Sequence, residues 1–153
     1  MTKLIVDSNI IFSALLNVNS RIGQILLTRE SFYEFYAPKY LRSEILEHQE
    51  KIKKIGRLSN DEFLEVYELV LKNVTILNHS IVPKEIYEQA FELCENIDPA
   101  DTAFVAFSFF LKCKIWTGDK KLVNGLRKKG FKKIITTGDL FKDFLIKTNK
   151  RER

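Results

Sequence analysis

Five short runs rich in β-branched and aromatic residues alternate with helix-length segments along this chain: Lys3–Val6, Tyr33–Ala37, Val74–Leu77, Lys114–Thr117 and Lys133–Thr136. Polar or glycine residues bound each run, the mark of short strands. Strands separated by helices predict a parallel sheet covered on both faces. The fold class expected is therefore α/β, a three-layer α/β/α sandwich around a parallel sheet of roughly five strands. Among the helices, 59–72 opens on Ser59-Asn-Asp-Glu62, a capping box. Segment 83–94 opens on Pro83, and 38–55 carries a stripe at Leu41, Ile45, His48, Ile52 and Ile55 that suits one helix face. Segment 99–113 is apolar almost all round, which predicts a buried helix. No repeat or Pro/Gly-rich linker divides the chain. One domain over residues 1–146 with a basic tail at 147–153 is expected.

In open sheets of this kind, ligands bind outside the carboxyl ends of the strands, so chemistry is sought there. Several classes fall away first. The two cysteines, Cys94 and Cys113, form no C-x-x-C, which excludes a zinc cluster or disulfide framework and suits a reducing compartment. No G-x-G-x-x-G or GK[ST] loop is present. The longest apolar stretch, Ala103 to Leu111, is nine residues long, against about 20 for a bilayer span. The N-terminus meets an acid at Asp7, which breaks any signal-peptide core. These features predict a cytoplasmic protein without membrane attachment.

What stands at the strand ends is acidic. Asp7 follows Leu4-Ile-Val directly, where a carboxylate is costly to bury unless paired or metal-bound. Asp119 closes Ile115-Trp-Thr-Gly-Asp, and Asp98-Pro-Ala-Asp101 opens the apolar helix. Each could equally be a helix cap. The second Thr-Gly-Asp, Thr137 to Asp139, precedes an amphipathic terminal helix, and Asp139 reads as its cap. Glu44 borders the buried stripe, with His48 at the i+4 spacing of a metal pair or of a satisfied core histidine. Taken together, four or five carboxylates from separate segments would meet at one sheet edge. Two charges about 5 Å apart repel by roughly 3 kcal/mol at an effective dielectric near 20. Hard divalent cations relieve such repulsion, and Mg²⁺ or Mn²⁺ suits an oxygen-only set.

The order Leu4-Ile-Val-Asp7-Ser-Asn9, Leu41-Arg-Ser-Glu44, Asp98-x-x-Asp101-Thr-Ala-Phe-Val-Ala and Trp116-Thr-Gly-Asp119 resembles the PIN-domain ribonucleases, which include the VapC-type toxins. The resemblance runs from Asp7 to the fifth strand and includes the 18 residues from Asp101 to Asp119. It implies that Asp7, Glu44, Asp101 and Asp119 are the catalytic, metal-holding acids and that Asp98 is an auxiliary ligand. Asn9 resembles the polar residue that holds the first Asp, and Thr117 the hydroxyl residue ahead of the last. Where many relatives carry a further acid or Asn, this chain has Lys121. That leaves open one metal or two, and a phosphate contact by Lys120 or Lys121.

The activity implied is metal-dependent endoribonuclease cleavage of single-stranded RNA, leaving a 5′-phosphate and a 3′-hydroxyl. Lys and Arg outnumber acids 25 to 20, in clusters at 51–57, 127–133 and 147–153, as a polyanion-binding protein needs. The resemblance also implies a homodimer, and it admits two roles: a toxin held by an antitoxin, or a housekeeping RNA-processing nuclease. Two alternatives stay open on the sequence. One is a non-catalytic PIN scaffold that binds RNA or protein. The other is a haloacid-dehalogenase-like phosphatase with Asp7 as nucleophile, although that pattern wants an acid where Asn9 stands.

Overall fold

β1 (Thr2–Val6) is apolar on both of its faces because both are covered. Leu4 and Val6 enter one core and Ile5 the other, as the pleat dictates. The computed structural model describes residues 1–28 and 32–152. β2 (Tyr33–Pro38), β3 (Val74–Leu77), β4 (Lys114–Trp116) and β5 (Ile134–Ile135) complete a parallel five-stranded sheet in the order β3-β2-β1-β4-β5. Ile5 of β1 lies opposite Tyr36 on one side and Ile115 on the other. The chain builds outward from β1 to β3, then crosses back to β4, so the strand order reverses between β1 and β4. That is where a crevice opens in such a sheet.

Six helices cover the Leu4/Val6 face: α1 (Ser8–Leu16), α2 (Arg21–Leu27), α3 (Leu41–Glu47), α4 (Gln49–Gly56), α5 (Asn60–Lys72) and α9 (Thr137–Glu152). The Ile5 face is covered by α6 (Lys84–Cys94), α7 (Thr102–Leu111) and α8 (Lys120–Lys128). The expected three-layer sandwich is the observed one. Trp116 is its largest fully buried side chain; its indole packs on Phe35 and donates to the Thr137 hydroxyl at 3.0 Å.

Local rules account for most element ends. The Ser59–Glu62 capping box forms in both directions at the start of α5. Asp98 accepts the Ala100 N–H at 3.0 Å and starts a 3₁₀ turn, Pro99–Asp101, that feeds α7. Residues 102–108 of α7 are all buried, and Lys112 in the left-handed region ends the helix.

Two expectations need correction. Segment 38–55 is not one helix: it bends at His48, whose φ of −101° and ψ of 12° leave the helical region. The bonds from His48 N–H to Glu44 C=O and from Ile52 N–H to His48 C=O survive, so the backbone is bent without being unwound. Phe12 of α1 meets the His48 ring edge-on at this point. Leu41, Ile45 and Ile52 stay buried, whereas His48 and Ile55 turn out to solvent. Nor does Asp139 cap α9. That helix begins at Thr137, and Thr136 Oγ1 accepts the Asp139 N–H at 3.3 Å, which puts Asp139 inside the first turn.

The segment expected as a tail continues α9 as far as Glu152, with Lys147 paired to Asp143 at 2.9 Å; Arg153 lies outside the described residues. Among the described residues no single helix is long and apolar enough to cross a membrane. Cys94 and Cys113 are free and buried, and burial raises both thiol pKa values, that of Cys94 to about 11.

Candidate metal centre

Asp7 follows the last residue of β1 in extended conformation and turns the chain into α1. It stands at the cap position, yet its carboxylate makes no capping bond. Asp7 Oδ2 instead accepts from the Thr117 hydroxyl at 2.7 Å, across the gap between β1 and β4. The Thr117 oxygen in turn accepts the Asp119 N–H at 3.1 Å. One fully buried threonine therefore links the acids that end the two central strands.

Asp119 caps α8 through Oδ1, which accepts the Leu122 N–H at 3.2 Å. Glu44 stands in the first turn of α3 and accepts from the Ser8 hydroxyl at 3.1 Å. Asp101 ends the 3₁₀ turn at the mouth of α7, where its Oδ2 is buried and has no hydrogen-bond partner. Asp7, Glu44, Asp98, Asp101 and Asp119 all line one cleft of about 450 Å³, together with Tyr40 and Phe104. A roomier groove along α6, near Val82, Tyr87 and Phe91, is mainly apolar and gathers no comparable set of acids.

Burial, followed by the charges of Asp7, Asp98, Asp119 and Glu44, pushes the Asp101 carboxyl up to about 7. Asp7 is raised by burial, with Asp119 adding to the shift and the Thr117 hydroxyl and nearby N–H of Asn9 opposing it. Burial raises Glu44 as well, against the Ser8 hydroxyl. None of the ion pairs among the described residues reaches these acids. Among the described residues the lining of the cleft concentrates like charge and includes no Lys or Arg.

Among the described residues no three Asp, Glu, His or Cys side chains form a ready-made ligand cage. The acids share the cleft without closing on one point. Their chemistry nonetheless fits a hard divalent ion: every donor is an oxygen, and the orphaned Asp101 Oδ2 lacks a partner of opposite charge.

The remaining site expectations divide. Thr117, expected only as the hydroxyl residue ahead of the last acid, is the side chain that donates to Asp7. Asn9 is exposed at the rim and makes no side-chain bond to Asp7, whose pKa its nearby backbone N–H lowers. Lys120 lies outside the acidic cleft, in an adjoining pocket, and Lys121 is exposed on α8 and lines neither. Two contributors escaped the sequence reading. Ser8 orients Glu44. Tyr40 packs edge-on against Phe104, and burial with the charges of Glu44, Asp101 and Asp7 raises its phenol, which stays a donor. Because β2 ends at Pro38, looking just past every strand end would have reached Tyr40.

No curated protein matches the chain. The family model described as PIN domain matches residues 5–138, which takes in the end of β1, the other four strands and every acid of the cleft. Proteins of that family are in general nucleases that need divalent metal. By sequence match and by parallel α/β architecture alike, this chain belongs to the PIN-domain family.

Proposed function

We propose that the protein is an endoribonuclease that hydrolyses single-stranded RNA with Mg²⁺ or Mn²⁺ held by Asp7, Glu44, Asp101 and Asp119, with Asp98 in support. The observation that carries this reading is the buried, partnerless Oδ2 of Asp101 in a cleft lined by four other carboxylates. A bound divalent ion would supply a water activated to hydroxide and charge neutralisation at the scissile phosphate.

The chain's own residues do the rest. Thr117 holds Asp7 in one orientation, and Ser8 does the same for Glu44. Asp119 spends one oxygen on capping α8 and keeps the other for a ligand. Like charge keeps these carboxylates apart until a cation offsets it, which accounts for an open arrangement. Asp101 must lose its proton to become a ligand, so its raised pKa makes occupancy depend on pH near neutrality. Tyr40 offers a phenolic donor at the rim for a phosphate oxygen. No serine or cysteine nucleophile is required, and the products expected are a 5′-phosphate and a 3′-hydroxyl.

The biological reading that goes with this is the toxin of a toxin–antitoxin pair acting in the cytoplasm. The uncompensated acids support it, since an antitoxin's basic side chain would neutralise them, and two free thiols suit a reducing compartment. Lys121 supports a second reading, a non-catalytic scaffold, because it is exposed and lies off the cleft where a further ligand was expected.

Incubation of a single-stranded RNA with Mn²⁺ and the purified protein decides between them. Cleavage that stops with EDTA, and falls at least about a hundredfold in Asp7→Asn and Asp119→Asn with folding unchanged, is expected. Activity that persists in EDTA or in either variant overturns the nuclease reading, and RNA binding without cleavage points to the scaffold.

A further inference from the structure

We infer that the pocket next to the acidic cleft, bounded by Lys120, Asn124 and Arg127 of α8 and by Thr136 and Thr137 at the start of α9, binds a backbone phosphate of the same RNA strand. The inference rests on the nuclease reading for its substrate and goes beyond it in assigning a second, metal-free subsite. The pocket measures about 420 Å³ and is lined by Thr117, Gly118 and Lys120, which flank Asp119 of the cleft in the chain, and the Thr117 hydroxyl oxygen accepts the Asp119 N–H. A strand whose scissile phosphate sits among the carboxylates therefore has its neighbouring phosphate within reach of this pocket.

Its chemistry is the inverse of the cleft's. No carboxylate lines it, and Lys120 and Arg127 form no ion pair among the described residues. Lys120, Asn124 and Arg127 are spaced i, i+4 and i+7, which puts them on one exposed face of α8, while Leu122, Val123 and Leu126 are buried.

The two threonines are set as donors. Thr137 Oγ1 already accepts the Trp116 Nε1–H at 3.0 Å, and Thr136 Oγ1 accepts the Asp139 N–H at 3.3 Å. With each oxygen engaged as an acceptor, each hydroxyl hydrogen is left for a ligand that accepts. At Gly118 a Cβ would meet nothing within 4 Å, so the backbone there is open to approach. Guanidinium, ammonium, amide and two hydroxyls together make a donor set for an acceptor-only group, and phosphate is the acceptor-only group of RNA. The positive end of the 16-residue α9 adds to the same preference.

The test measures binding and turnover separately. Affinity for a single-stranded RNA lacking terminal phosphates is read by fluorescence anisotropy in EDTA over a salt series, and kcat and KM are read in Mn²⁺. The proteins are wild type, Arg127→Ala, Asn124→Asp and Lys72→Ala. Lys72 is an exposed control at the far end of α5, just before β3 begins. Arg127→Ala is expected to weaken binding about tenfold for every sequence tested and to lower the salt slope by about 0.7, the value of one lost single-strand phosphate contact. KM rises with kcat unchanged, Asn124→Asp behaves alike, and Lys72→Ala matches wild type.

Arg127→Ala and Asn124→Asp that bind no more weakly than Lys72→Ala overturn the pocket, as does wild type that binds no RNA. The two readings fail separately. Pocket-dependent binding without Mn²⁺-dependent cleavage defeats the nuclease and leaves the subsite standing. Cleavage with KM indifferent to Arg127 and Asn124 defeats the subsite alone.

Discussion

Asp101 carries more of the site's electrostatic cost than any other residue, and the cost has a sign that can be measured. Its folded pKa of about 7 lies above its ordinary 3.8, so the folded chain binds a proton that the unfolded chain has already released. Between roughly pH 4 and pH 7 the metal-free protein should therefore lose stability as pH rises, and level off above that. Asp7 and Glu44 are shifted in the same direction and add to the slope. Asp101→Asn removes the buried charge. In EDTA at pH 8 it is expected to raise Tm relative to wild type and to flatten the pH profile, while RNA cleavage is lost. A lower Tm for this variant at pH 8 would show that the carboxylate is not under strain. Asp7, Asp98, Asp101 and Asp119 were legible in the sequence because each follows a strand or opens a helix, and Glu44 because it borders an apolar stripe. Ser8 was not, because its role depends on α1 meeting Glu44 of α3 in space, which spacing along the chain does not encode.

At the scale of elements, Thr117 couples the end of β4 to the start of α1 through Asp7. Thr117→Val keeps the shape but leaves a buried carboxylate without its donor, so a loss of about 1.5–3 kcal/mol in chemical denaturation is expected, together with most of the activity. Ser59→Ala is the contrasting case. It removes the capping box of α5, far from the cleft, and should cost about 1 kcal/mol with cleavage unchanged. Loss of activity in Ser59→Ala would mean that α5 reports on the site in a way its position does not explain. The two capping signals, Ser59 and Asp98, were readable because a cap is local chemistry. The bend at His48 was not visible in the apolar stripe, and the ring that meets His48 there, Phe12, lies 36 residues earlier in the chain. A regular apolar stripe from Leu41 to Ile55 implies a straight helix only when nothing else packs against it.

Across the whole molecule, the alternation of strands and helices determined the layers but left the strand order open. Nothing local distinguishes β3-β2-β1-β4-β5 from other orders of the same five strands. That order matters, because it seats β1 beside β4 and so brings Asp7 to Asp119 through Thr117. The molecule carries a net charge of +5, yet it gathers five acids in one cleft and sets Lys120 and Arg127 beside it. A polyanion is drawn in by the overall charge and positioned by the local contrast.

Whether these acids form a site for a hard divalent ion is read by calorimetric titration of Mn²⁺ into the EDTA-stripped protein at pH 7.5. Saturable binding at one or two ions per chain is expected, raising Tm and lost in Asp7→Asn and Asp101→Asn. Absence of binding to wild type, or binding of the same strength in both variants, would contradict it.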